Sequence, residues 1–283
     1  MAKPLYEFGM TNIDTMLRDE WNVEAAKSSL IHVIPEAGYI RKEKERLLDK
    51  TVFETFVSIF TSEMLKQYND ILKSADFTLY SPKTVRMEYG DSKIKSRYSA
   101  IYQFFCPGRG LNQITNSKER NFQVAEEDVR VEERIMYLSG LIDEIFQREG
   151  FIHGDPNLRH FFLLPKDGLV RDYNRDGKVT AASSRNGLGI IDVESAQLLE
   201  PFCDEVKSAA ALYKERIFSR FNCPRSEEFF DLGKSKVANQ LGKLRISEMA
   251  YETANAFFHS RFTDLIENVN LETRTVTYKP IGK

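Results

Sequence analysis

Apolar residues recur every three or four positions over Val52, Phe53, Phe56, Ile59, Phe60, Met64 and Leu65, and this spacing predicts one long amphipathic helix from Asp49 to about Leu72. The chain before it alternates: Leu30 to Ile34 and Tyr39 to Lys44, around the run Pro35-Glu36-Ala37-Gly38, read as a lysine-bearing β-hairpin. After the helix, Thr84 to Tyr89 and Ser99 to Phe105 are strand-like and are separated by the polar turn Gly90-Asp91-Ser92-Lys93. Cys106-Pro107-Gly108-Arg109-Gly110 then breaks the apolar run, which makes it the strongest boundary signal in the chain. Residues 112–128 are polar and linker-like. From Glu132, the positions Ile135, Leu138, Leu141, Ile142 and Ile145 predict a second amphipathic helix that stops near Gly150.

Two short apolar runs follow, His160 to Leu164 and Leu188 to Ile191, and from Ser195 to Asn268 the pattern is mostly helical, with breaks at Pro201 and Pro224. Thr273 to Tyr278 alternates like an edge strand, residues 1–28 show no clear period, and no internal repeat is present. The expected fold class is therefore α+β. Residues 1–106 form a sheet-rich lobe with one long helix, and residues 107–283 form a larger, mainly helical lobe.

At 283 residues, with 42% hydrophobic and 29% charged positions, the chain can build a substantial core. Forty basic and forty-two acidic residues give a net charge of −2, so no global field draws it to nucleic acid or an anionic membrane. Cys106, Cys203 and Cys223 lack the paired spacing of a zinc site or disulfide framework, which fits a reducing, cytoplasmic setting. The N-terminus has no apolar signal core, and no uncharged run reaches the roughly 18 residues of a membrane span. Peripheral contact with a membrane surface stays open.

The candidate chemistry lies beside the two apolar runs. Asp155 follows His153-Gly154 directly after a predicted helix, and Pro156 prevents the helix from resuming. On that tight loop the carboxylate could accept a hydroxyl proton, or it could simply cap the turn. Asp192 ends the run Gly189-Ile190-Ile191, where it could bind Mg²⁺ through oxygen beside a triphosphate, or cap the following turn. Found together in this order, the two carboxylates favour the functional reading. Between them, Asp172, Asn174 and Asp176 precede Gly177 as in the first half of a Ca²⁺ loop, but Ser183 replaces the bidentate glutamate. A plain hairpin tip is the better reading there.

These segments resemble the protein-kinase-like superfamily. His153-Gly154-Asp155 is similar to the catalytic loop of its RIO and aminoglycoside phosphotransferase branches, and Ile191-Asp192-Val193-Glu194 to their metal-binding motif. Asp155-Pro156-Asn157-Leu158-Arg159-His160 is similar to the version in bacterial lipopolysaccharide (heptose and Kdo) kinases, with His160 where the wider family has Asn. The resemblance covers about residues 30 to 215 and implies a bilobal fold that uses ATP and Mg²⁺. It implies Asp155 as base on the His153 loop, Asp192 as metal ligand, and His160 at the metal or phosphate. Lys42 would be the phosphate-binding lysine, with Lys44 as second choice. Glu63 would be its helix partner in preference to Glu54, and Gln103 and Phe105 would lie at the adenine-binding hinge.

The implied activity is transfer of the γ-phosphate to a hydroxyl on a sugar, glycolipid, small molecule or protein. No Gly-x-Gly-x-x-Gly precedes Lys42, since Gly9 and Gly38 do not form one, so a nucleotide-binding pseudokinase with a regulatory or partner-binding role is the alternative.

Overall fold

The computed structural model describes residues 29–34, 39–45, 48–72, 77–91, 97–114, 120–124, 127–173, 179–221, 223–241, 245–261 and 266–279. The lead-in 1–28, with Gly9, lies outside them, as do Gly38, Asn174 and Asp176.

The first sheet has four antiparallel strands in the order β1-β2-β5-β4. They are β1 (Ser29–Ile34), β2 (Tyr39–Glu45), β4 (Thr84–Asp91) and β5 (Arg97–Phe104). In this register Lys42 sits opposite Ile31 on one side and Ile101 on the other. Between β2 and β4 the chain forms helix α1 (Leu48–Leu72) and the short strand β3 (Leu79–Tyr80).

Helix α1 departs from the amphipathic expectation, because every residue from 51 to 65 is buried. Its apolar stripe faces the core, but Thr51, Glu54, Thr55, Ser58, Thr61, Ser62 and Glu63 are covered as well. A helix buried all round must pair its polar groups internally. Ser58, for example, donates to the Thr55 carbonyl at 2.9 Å and lies 2.7 Å from the Thr84 hydroxyl.

The larger part is organised on helix α2 (Val131–Glu149), whose start is fixed by Glu133 accepting the Arg130 N–H at 2.9 Å. Gly150 ends the helix with a φ of 70°, a conformation that suits glycine, and a Cβ there would collide with the Leu199 carbonyl. Around α2 pack α3 (Asp204–Arg220), α4 (Ser226–Leu241) and α5 (Ile246–Arg261). Pro201 and Pro224 fall between these helices as expected. The side chain of Glu149, 1% exposed, accepts the first two N–H groups of α5, Ile246 at 3.1 Å and Ser247 at 2.6 Å, and the Tyr68 hydroxyl at 2.5 Å. One carboxylate thus joins α1, α2 and the positive end of α5.

The stretch 112–128, expected as a linker, follows β6 (Arg109–Gly110) and leads into a two-stranded ribbon, β7 (Arg120–Val124) with β8 (Glu127–Arg130). The C-terminal alternation is β14 (Thr275–Tyr278), paired with β13 (Ile266–Asn270), which the sequence pattern had left in the helical region.

The second sheet, in the order β3-β11-β10-β6, is dominated by the hairpin of β10 (Phe161–Tyr173) and β11 (Val179–Ile190). This ribbon doubles back on itself. Tyr80 pairs with Gly189 of β11, yet its hydroxyl donates to the Arg171 carbonyl at 3.2 Å. Arg171 pairs with Ala181, and the eight residues from 181 to 189 would span roughly 26 Å in a straight strand. A tyrosine cannot bridge that distance. The bend coincides with a register shift between Lys166 and Leu169, and with positive φ at Asp167 (63°) and Asn186 (49°). The described residues form an α+β architecture whose main core runs continuously from α1 through α2 to α5.

Candidate functional site

The loop after α2 turns through the short strand β9 (Phe151–Ile152), which pairs with β12 (Gln197–Leu198), and delivers His153 and Asp155 side by side. Gly154 has a φ of 84°, and a Cβ on it would strike the Ser195 carbonyl, so this position admits only glycine without strain. Asn157 caps the single 3-10 turn Leu158–His160 by accepting the Arg159 N–H at 3.1 Å. That turn aims His160 inward, where it is 4% exposed.

His153 is also 4% exposed. Its Nε2 lies 2.9 Å from the Ile191 carbonyl, and its Nδ1 accepts the Asp155 N–H at 3.4 Å. These two contacts assign the proton to Nε2. Burial pulls the imidazole down to about 4, so it is neutral at pH 7. The ring therefore ties the Asp155 loop to the residue before Asp192.

Asp192 lies two residues past the end of β11 at a φ of 60°. Its Oδ1 accepts from Lys42 Nζ at 3.2 Å, and its Oδ2 lies 3.3 Å from His160 Nε2. Lys42 donates to Glu54 Oε1 at 3.0 Å. The other nitrogen of His160 stands 3.6 Å from Asp155 Oδ2 and 3.2 Å from the Asp155 carbonyl. Arg159 completes the group: its Nε donates to His160 Nε2 at 3.0 Å, and its guanidinium lies 4.0 Å from Asp155 Oδ2. A continuous line of polar contacts thus runs Glu54, Lys42, Asp192, His160, Asp155.

The charges reinforce one another. Burial works against the Lys42 ammonium, but Glu54 and then Asp192 outweigh it and hold the group above the ordinary lysine range. Lys42 is in turn the main reason that the Asp192 carboxyl sits well below the usual carboxylate range. Both groups are ionised across physiological pH.

Of the residues singled out in the sequence, the structure gathers Asp155, His160, Asp192 and Lys42 directly, and His153 through Ile191. Glu63 is not the partner of Lys42, and Glu54 takes that place. Nine residues separate the two glutamates, so Glu63 points about 180° around the helix and roughly 13 Å along it. It binds Lys83 instead, at 2.5 Å. Gln103 is buried beside the site on β5, with its amide turned to the Thr84 hydroxyl at 3.3 Å, and Phe105 is half-buried just past the strand end. Asp172, the first position of the Ca²⁺-like loop, is engaged by Lys83 at 2.7 Å and Lys66 at 2.8 Å, which favours an ion pair over a cation site.

The pattern gave Glu194 no role. Glu54, Asp192 and Glu194 each offer a carboxylate oxygen within 4.8 Å of the others, a hard-oxygen set suited to Mg²⁺. Lys83, in the segment Ser81-Pro82-Lys83 between strands, carried no periodic signal. Among the described residues, no helix is long and apolar enough to cross a membrane.

No family model matches the chain, and neither does any curated protein. Among solved structures it is similar to the Rio2 kinase of Chaetomium thermophilum in an ADP/Mg²⁺-phosphoaspartate complex. That match has 12% identity, covers 83% of this chain and 69% of the other, and has a TM-score of 0.33. It is also similar to WaaP in complex with acyl carrier protein, with 12% identity, coverage of 82% and 84%, and a TM-score of 0.39. A third is the BubR1 kinase domain, with 13% identity, coverage of 83% of both chains and a TM-score of 0.41.

Proposed function

We propose that this protein is a kinase-like phosphotransferase that moves the γ-phosphate of ATP to a hydroxyl acceptor. The observation that carries the reading is His160, whose single buried ring lies 3.6 Å from Asp155 and 3.3 Å from Asp192. These distances support reading Asp155 as the base and Asp192 as the metal ligand, with Lys42 beside Asp192 at 3.2 Å.

In this reading ATP binds between the lobes 1–106 and 107–283, with its adenine near Gln103 and Phe105. Lys42, oriented by Glu54, offers a permanently charged ammonium to the α- and β-phosphates. Asp192 and Glu194 supply the oxygen ligands for Mg²⁺, which would neutralise charge on the triphosphate. Asp155 is 44% exposed on its side chain, and its Oδ1 is fixed by the Asn157 N–H at 3.1 Å. Its second oxygen can take the proton of an entering hydroxyl. His160 lies between the two aspartates and His153 ties their loops together, so positioning and charge supply most of the rate. The motif similarity favours a sugar or glycolipid acceptor, and the free cysteines favour a reducing compartment such as the cytoplasm.

One observation favours a second reading, a pseudokinase that binds nucleotide without turning it over: the sequence before Lys42 lacks a glycine-rich phosphate loop. ATP turnover with Mg²⁺ separates the two. The phosphotransferase reading expects ADP formation that Asp155→Asn lowers by about 10²–10⁴-fold. Tight nucleotide binding with no ADP formed by the unaltered protein would overturn it in favour of the pseudokinase.

A further inference from the structure

Two buried lysines bridge the same two structural elements. Lys42 joins Glu54 of α1 to Asp192, just beyond the base of the β10–β11 hairpin. Lys83 joins Glu63 of α1 to Asp172 at the hairpin's far end, at 2.5 and 2.7 Å. Both ends reach one helix because the ribbon folds back at the bulge between Lys166 and Leu169.

The Lys83 bridge is well enclosed. Its side chain is 1% exposed, Glu63 is 8% exposed, and the ammonium lies 5.1 Å over the ring of Phe257 on α5. Asp172 is held below the ordinary carboxylate range because Lys83, with help from Lys66, overcomes the burial that would raise it. A buried ion triad adds little stability over apolar side chains of equal size, but it is satisfied at only one spacing. Its contribution is therefore geometric. Without Lys83, the enclosed Glu63 would face Asp172 as a like charge, and α1 would reach the hairpin's far end only through the half-exposed Lys66, 2.8 Å from Asp172, a solvent-screened pair that holds no fixed spacing. Glu54 would move with the helix and Asp192 with the hairpin.

We propose that Lys83 is a positioning residue: its bridge from Glu63 to Asp172 pins α1 to the far end of the bent hairpin and so sets the spacing at which Glu54 and Asp192 both meet Lys42. The catalytic meaning of this bridge rests on the phosphotransferase reading, but the spacing itself can be measured without nucleotide.

The test is NMR of the lysine ammonium groups in the free, ¹⁵N-lysine-labelled protein. In the wild type, Lys42 gives an ammonium signal that exchanges slowly with water. In Lys83→Met that exchange accelerates at least about tenfold, the effect of losing one charge-assisted hydrogen bond, while circular dichroism shows a folded chain. Lys83→Arg, which can keep both ion pairs, retains slow exchange. A folded Lys83→Met protein with unchanged Lys42 exchange overturns the proposal. If Lys83→Met does not fold, the neutralised trio Lys83→Met, Glu63→Gln and Asp172→Asn is read by the same two outcomes. Failure of the wild type to bind Mg²⁺-ATP would sink the phosphotransferase reading alone, because this readout uses no nucleotide.

Discussion

Lys42 and Asp192 stand 150 positions apart in the chain and meet at 3.2 Å, with Glu54 on the far side of the same ammonium. Because Glu54 is 0% exposed, removing the lysine takes its 3.0 Å ammonium partner from a buried carboxylate. Lys42→Met should therefore cost about 3–5 kcal/mol of unfolding free energy. Adding Glu54→Gln should recover most of that loss. Urea denaturation of the two variants checks this, and equal destabilisation in both would show that the pair is not coupled.

The side-chain contacts of Asp155 are local, to the Asn157 N–H and beside His160 and Arg159, and its carboxylate is 44% exposed. Asp155→Asn should leave the fold and nucleotide affinity intact while turnover falls by about 10²–10⁴-fold. Steady-state kinetics with a separate nucleotide-binding titration distinguishes this from a general loss of the site. A comparable fall in affinity would assign Asp155 to binding.

His153 predicts a pH effect of definite sign. Its imidazole titrates near 6.5 when unfolded and near 4 when folded, so between those values the unfolded chain binds a proton that the folded chain refuses. Stability should fall as pH drops through that window, by up to about 3 kcal/mol from this group. The depressed Asp192 carboxyl acts in a lower window, where its stabilisation is lost as pH falls below the ordinary carboxylate range. His153→Gln, whose amide can still donate to the Ile191 carbonyl, should flatten the slope between pH 6.5 and 4. Parallel unfolding curves for both proteins across that range would contradict the assignment.

Much of this arrangement was legible in the sequence because it is local. Gly150, Gly154, Pro156 and the apolar runs on either side of the two aspartates fix their own backbone, and alternation located the hairpin strand that carries Lys42. What could not be read depends on distant packing. The sequence favours Glu63 over Glu54 on a helix expected to have a solvent face, and nothing local to that helix reverses the order. Once residues 51–65 are buried on all sides, only the position of Asp192 decides between them. The bend in the hairpin and the Lys83 bridge are likewise set by elements far away in the chain. The ribbon at 120–130 and strand β13 were missed because short paired strands in polar sequence have no strong period.

Helices α2 and α4 touch through glycine. A Cβ on Gly140 would collide with the Phe230 carbonyl, and one on Gly233 with the Tyr137 carbonyl. Gly140→Ala and Gly233→Ala should each destabilise the protein by about 1–3 kcal/mol without altering nucleotide affinity. Thermal unfolding with a binding titration checks both halves of that statement.

The central claim, that Asp192 and its neighbours form a metal-dependent nucleotide site, is tested most directly by thermal shift with ATP in the presence and absence of Mg²⁺. The account predicts a rise in Tm with Mg²⁺-ATP that clearly exceeds the rise with ATP or Mg²⁺ alone, and that disappears in Asp192→Asn. A wild-type protein whose Tm shows no Mg²⁺-dependent response to ATP would contradict it.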